Sequence, residues 1–379
     1  MSLAQAHPLE VGSEVFGAVG LITLQRPRAL NALSLPMIRE LTRVLLTWRD
    51  DPAVTRVAIR GQGKDGAFGV FCAGGDIRYF HQAALAGDPT LEDFFTEEYT
   101  LNHLIHVYPK PFVAFMDGIV MGGGMGISQG AKLRIVTERT RLAMPETHIG
   151  LFPDVGGGYF LSRCPGRLGE YLALTGHVLD GAAAVACGLA DWCVPSDALT
   201  ALWDRLQAHA DEPWEACLAD LRSLGTTPGP EAPAHTPNGL TAHRAAIDRH
   251  FAADSVQGIV ESLRADGSDW ALSCEKVLRT RSPLMLHVVL EQLRRARNMS
   301  LADDLRMERD LVRHCFTTVH LQRTGAASET VEGIRALAVD KDHRPRWNPS
   351  GIEDVTPDMV APFFDSPWPT HAHPLRALG

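Results

Sequence analysis

The sequence predicts an α/β fold: a strand-and-helix core followed by a mainly helical C-terminal region. Three observations carry that expectation. Strand-like and helix-like segments recur through the first 225 residues in the rhythm strand, strand, helix, which suits helices packed outside a sheet. Hydrophobic residues make up 45% of the 379, with mean hydropathy −0.05, so a large core can form. After a stretch rich in Pro, Gly and Thr, GTTPGPEAPAHTPNG at 225–239, the pattern turns almost wholly helical over 241–321.

The elements follow in order. Residues 14–24 (EVFGAVGLITL) read as two short strands around Gly17 or Gly20. A loop with Arg26, Pro27 and Arg28 leads to a helix capped by Ser34, whose Leu35, Ile38, Leu41, Leu45 and Trp48 fall at helical spacing. VTRVAIRG (54–61) is a buried strand closed by glycine, and 91–107 is helical. PFVAFMDG (111–118) is another strand, and the glycines after it open a helix. LRIV (133–136) and RLAM (141–144) are short strands, followed by helices over 157–163 and 167–175. The expected organisation is a core over 1–225, a linker or exposed loop over 226–240, and a helical region over 241–379. In that region Leu286, Val289, Leu290 and Leu293 share one helix face, and TVEGIRALAVDKD (330–342) reads as a further helix. The Pro-rich tail beyond it is expected to be only partly ordered.

Bulk properties exclude several function classes. A net charge of −9 argues against a nucleic-acid partner, which needs a basic footprint. No apolar run approaches the roughly 20 residues that span a bilayer, so no membrane role is expected. Seven cysteines, an odd count with no CxxC pair, make a disulfide framework and a zinc site poor readings, and no metal is implied. The N-terminal stretch lacks a basic start and an apolar segment, and has two Glu and no Arg before Arg26. That favours a cytoplasmic protein. Neither a dinucleotide fingerprint nor a P-loop is present.

Chemistry concentrates in three stretches: FCAGGDI (71–77), DGIVMGGGMG (117–126) and MPETHIGLFPDVGGGYF (144–160). Glycines at a strand-to-helix junction let backbone N–H groups converge on one point. Gly75 and Gly123 are the natural pair for an oxyanion hole. Singly, each motif could be no more than a tight turn; together with a paired-acid loop they favour catalysis. Glu146 ends a short strand among Met144, Ile149 and Phe152, where desolvation should raise its pKa and fit it for base or nucleophile duty. Asp154 is either a second catalytic acid or the cap of the helix that starts in the glycines. Cys72 reads as a small buried hydrophobe, and His148 as a loop residue.

Together, FCAGGD, the DG…MGGG turn and the PE…G…P…GG loop resemble the crotonase, or enoyl-CoA hydratase/isomerase, superfamily over residues 12–220. Within it, MPETHIGLFPDVGGGYFLSR, FFTEEYTLN (94–102), SPLMLHVVLEQL (282–293) and EGIRALAVDKDHRPRW (332–347) are similar to the 3-hydroxyisobutyryl-CoA hydrolase subfamily, which extends the likeness over nearly the whole chain. The resemblance implies a spiral of repeated ββα units followed by helices. It implies a short branched hydroxyacyl-CoA thioester as substrate, its carbonyl held by the N–H groups of Gly75 and Gly123, with Glu146 and Asp154 catalytic. It suggests Glu98 as a substrate contact, although a solvated helix residue is the plain alternative. CoA would enter as part of the substrate, with no separate cofactor, and Arg26, Arg28 and Arg78 could meet its phosphates. Hydratases of the superfamily carry a first glutamate where this chain has Gly126, which argues against hydration. Hydratase or isomerase activity on another acyl-CoA, and a non-catalytic acyl-CoA-binding protein, are the alternatives. Homo-oligomers are common among related folds, but C-terminal helices folding back would cover the surface used.

Overall fold

The computed structural model describes residues 10–208, 212–223, 227–228 and 240–379. Its strands are Val11–Phe16 (β1), Val19–Leu24 (β2), Arg56–Gly61 (β3), Phe112–Met116 (β4), Ile119–Met121 (β5), Leu133–Thr137 (β6), Arg141–Ala143 (β7), Trp192–Val194 (β8) and Thr227–Pro228 (β9). Seven of them form one sheet in the order β1-β2-β3-β4-β6-β8-β9. The outer pairs β1/β2 and β8/β9 are antiparallel, and everything between is parallel. A parallel sheet is covered on both faces, which is why β4 (FVAFM) is an unbroken apolar run and β3 carries Val57, Ala58 and Ile59 between two arginines.

The helices of the first half are Leu35–Asp50 (α1), Ile77–Ala86 (α2), Thr90–His106 (α3), Gly123–Gln129 (α4), Gly157–Leu161 (α5), Leu168–Thr175 (α6), Gly181–Ala186 (α7), Leu199–Ala208 (α8) and Trp214–Ser223 (α9). In α1 the Ser34 hydroxyl accepts from Met37 N–H, and Met37, Ile38, Leu41, Val44, Leu45 and Trp48 are buried at the spacing of one helix face. The expected ββα spiral is present. β4 leads into β5 and then α4; β6 leads into β7 and then a 3₁₀ turn and α5. β5 and β7 pair in a second small parallel sheet, which Cys72 joins through a bridge to Val120 as the matching strand of the β3 unit. The helical starts of these units, and the turns before them, therefore stack at one edge.

The second half consists of Arg244–His250 (α10), Val256–Asp266 (α11), Asp269–Leu278 (α12), Pro283–Ala296 (α13), Leu301–Phe316 (α14), Glu329–Ile334 (α15) and Pro357–Val360 (α16). Leu286, Val289, Leu290 and Leu293 are buried on α13, and one apolar cluster runs from β2 and α1 through to Leu375. The helix expected over 330–342 is α-helical only to Ile334 and continues as a π-turn over Arg335–Val339. Most of the linker expected over 226–240 lies outside the described residues; Thr227–Pro228 within it adds a strand to the sheet. The tail is better fixed than its proline content suggested. Phe363 and Leu375 are buried, and Arg306 on α14 binds the Leu375 carbonyl. Among the described residues, no helix is long and apolar enough to cross a membrane.

Candidate active site

The turn after β5 and the loop before α2 bring the two expected donor glycines side by side. Leu33 N–H donates to Gly74 O at 2.7 Å and Asp76 N–H to Leu33 O at 3.1 Å, which pins the 74–76 loop. Gly74 (φ 106°) and Gly122 (φ 47°) adopt backbone angles that favour glycine, and each precedes one of the pair. Gly123 begins α4, so its N–H is one of the unsatisfied donors of a first helical turn. A methyl group built on Gly123 would lie 3.4 Å from Gly75 N and 2.5 Å from Glu98 Oε1. Neither N–H has a protein acceptor among the described residues. Two free donors thus open on the same space.

Three carboxylates close round that space. Glu146 opens a 3₁₀ turn, Glu146–Ile149, directly after β7, and its Oε1 lies 3.0 Å from where a methyl on Gly122 would stand. Its Oε2 is buried without a partner. Burial, and then the nearby Asp154 charge, hold this carboxyl well above the usual range. Asp154 accepts a 2.9 Å hydrogen bond from the Tyr99 hydroxyl. Burial pushes it up to about 7 against that hydrogen bond. Its side chain does not cap α5, whose N-cap is Gly156 with no side-chain cap. Glu98 is not a solvated helix residue: it is 2% exposed on α3, and its Oε1 has no partner. Burial, Asp154 and Glu146, in that order, raise its pKa strongly. All five residues expected from the sequence therefore converge.

Other expected contributors fall outside this centre. Arg26 is engaged by Glu10 and Asp76, whereas Arg28 and Arg78 are exposed. Arg26 and Arg28 line an open cleft of about 990 Å³ beside the start of α1, next to the pinned 74–76 loop. His148 is exposed, and Cys72 is fully buried with its thiol pushed up to about 12 by burial.

Sequence reasoning missed Tyr99 and Asn102. Both are buried on α3: Asn102 lies one turn beyond Glu98 on the same face, and Tyr99 is the next residue along. Asn102 is 1% exposed, and neither of its amide atoms has a partner. It occupies the room left by Gly126: a methyl there would meet Asn102 Nδ2 at 2.8 Å and Val155 Cβ at 2.7 Å. An amide thus stands where a hydratase-type first acid would project. A buried acid pair beside two convergent donors can polarise a carbonyl and deliver either a carboxylate or an activated water to it.

The chain matches the family described as enoyl-CoA hydratase/isomerase over residues 19–364. It belongs to that family. Relatives include the mitochondrial 3-hydroxyisobutyryl-CoA hydrolases of Xenopus tropicalis, 43% identical over 92% of this chain and 87% of the relative, and of Mus musculus, 40% identical over 94% and 89%. A probable 3-hydroxyisobutyryl-CoA hydrolase of Arabidopsis thaliana is 39% identical over 95% and 92%. Among family members of known structure, one named a carnitinyl-CoA dehydratase from Mycobacterium thermoresistibile is 38% identical, covers 94% of this chain and 97% of its own, and superposes with a TM-score of 0.82. Another, named an enoyl-CoA hydratase from Rhodobacter sphaeroides, is 35% identical with the same coverage and a TM-score of 0.80. The expected cytoplasmic location is overturned here, because the animal relatives are named as mitochondrial. The absence of a basic, Arg-rich start was the wrong guide.

Proposed function

We propose that this chain hydrolyses a short branched β-hydroxyacyl-CoA thioester, namely 3-hydroxyisobutyryl-CoA, to the free hydroxy acid and CoA, a step of valine degradation. The observation that carries the reading is the pairing of Glu146 with Asp154 beside two unpartnered N–H donors, in a site where position 126 has no acid. The relatives' names agree with it.

In this reading the thioester oxygen lies between Gly75 N–H and Gly123 N–H, where negative charge develops as the carbonyl becomes tetrahedral. Glu146 either attacks that carbon, expelling the CoA thiolate and leaving an anhydride for water to open, or takes a proton from water as water attacks. Both routes consume one water and yield acid and thiol. Asp154, held by Tyr99, orients the water or passes a proton towards the departing sulfur. A thiol of pKa about 8.5 leaves readily, so little acid help is needed. The buried, unpartnered Glu98 faces the β-hydroxyl of the acyl group and accepts from it. CoA is part of the substrate; its nucleotide end extends towards the cleft at Arg26 and Arg28.

A hydratase reading has one argument, the names of the two structural neighbours. It would need a second acid at position 126, and the room there is taken by Asn102. The deciding experiment offers the purified protein a panel of acyl-CoAs and follows free thiol, in parallel with a hydration assay on the matching enoyl-CoAs. Thiol release from 3-hydroxyisobutyryl-CoA is expected; hydration without thiol release would reverse the conclusion. Single turnover in ¹⁸O-water then separates the two routes, since label in the Glu146 side chain requires attack by Glu146.

A further inference from the structure

The loop that carries Asp154 is held from the C-terminal half of the molecule. Glu308, fully buried on α14, accepts hydrogen bonds from Gly156 N–H at 2.7 Å and Gly158 N–H at 3.0 Å. Asp304, one turn earlier on the same face, accepts from Tyr159 N–H at 2.8 Å. Gln292 on α13 donates to Pro153 O at 2.7 Å and to Glu308 Oε1 at 3.1 Å. These contacts bracket Asp154 on both sides, at 153 and at 156–159.

The arrangement needs a reason, because it is unfavourable in itself. Two carboxyls one turn apart in a core repel and are desolvated; burial first, and then Asp304, raise Glu308 well above the usual range. A pair of apolar residues would fill the same volume without that penalty. What apolar residues cannot do is accept from N–H groups. The loop DVGGG has three glycines, hence much backbone entropy to lose, and α5 has no cap of its own. A carboxylate with two accepting oxygens satisfies these buried donors and fixes the loop at once.

We propose that Glu308, assisted by Asp304 and Gln292, is the positioning residue for Asp154, so that the C-terminal helices set the geometry of the active site as well as covering the core. The proposal rests on the catalytic reading of Asp154. Displacement of a catalytic group by about 1 Å can cost ~10²-fold in rate.

The test is a double-mutant cycle on thiol release by the full-length protein. Glu308→Gln keeps the volume but turns one accepting oxygen into an amide that faces a backbone N–H. Alone it should lower kcat by ~10–100-fold with KM within about two-fold. In an Asp154→Asn background it should lower kcat by less than about three-fold, because both changes act through one group. An equal loss in both backgrounds, an unchanged kcat, or a change in KM alone would overturn the proposal. If Asp154→Asn alone leaves thiol release intact, the catalytic reading of Asp154 fails, and this inference with it. If Glu308→Gln does not fold, Gln292→Leu cuts the tether to Pro153 while leaving both carboxyls, and the same cycle is read on it. A loss of ~5–20-fold that vanishes with Asp154→Asn supports the proposal, and one that persists defeats it.

Discussion

Glu146→Gln removes the anionic oxygen while keeping the shape of a side chain that is already buried and short of partners. Thiol release should fall by ~10²–10⁴-fold with little change in KM, as initial rates across substrate concentration will report. The pH profile tests the same group differently. Glu146 must be anionic to attack or to take a proton, and the acid pair titrates high because burial penalises its charged form. kcat/KM should therefore still be rising with pH well above the ordinary carboxylate range. A profile already flat from pH 5 upward is incompatible with this. At this scale the sequence was informative about acids next to prolines after strands, because Glu146 and Asp154 sit among apolar neighbours that no surface loop keeps. It was uninformative about Tyr99 and Asn102. Helix α3 is buried round most of its circumference, so its polar residues look like a solvated stripe.

Helix α4 shows how an element can be legible while its fit is not. Its glycines announced a close approach, and a helix was expected to open there. That Gly126 faces Asn102 and Val155 depends on how α3 and the Asp154 loop pack across it, which no local pattern encodes. Val155 already holds φ 54°, an uncommon angle for a β-branched residue. Gly126→Ala should therefore push on strained backbone next to Asp154. The expected result is a loss of ~1–3 kcal/mol in urea unfolding, together with a kcat loss larger than any change in KM. Gly126→Glu, which restores the missing acid, should give no hydration activity, since the amide of Asn102 fills the space. Measurable hydration by that variant would show that position 126 alone separates the two chemistries. Helix α14 falls in the stretch expected to be helical, but helical periodicity alone does not say which of its charged residues turn inward, as Asp304 and Glu308 do to reach the 156–159 backbone.

At the scale of the whole molecule, the strand–strand–helix rhythm and the helical second half were both visible as periodicity, but their shared apolar cluster was not, because contacts between distant segments leave no local trace. That shared interior has a thermodynamic consequence. Glu98, Glu146, Asp154, Asp304 and Glu308 are all buried, and all have raised pKa values with burial as the largest cause. For such groups the native state binds protons more tightly than the unfolded chain. Their contribution to stability is thus fully present below the unfolded pKa and is lost as pH rises through the folded one. For Asp154 the window runs from its ordinary 3.8 to about 7. Three pKa units correspond to ~4 kcal/mol at most, and screening by its neighbours will leave less. Asp154→Asn keeps an acceptor for the Tyr99 hydroxyl but has no charge to bury. Its stability relative to the unsubstituted protein should therefore improve with pH: near parity below about pH 4, and ~1–4 kcal/mol ahead at pH 8, measured as the gap between urea midpoints. The same substitution that removes activity should make the protein more stable, the trade expected where an active site is built from desolvated charge. A gap that stays constant between pH 5 and pH 8 would mean that Asp154 is not titrating in the folded state, and the acid pair would have to be re-read as permanently ionised.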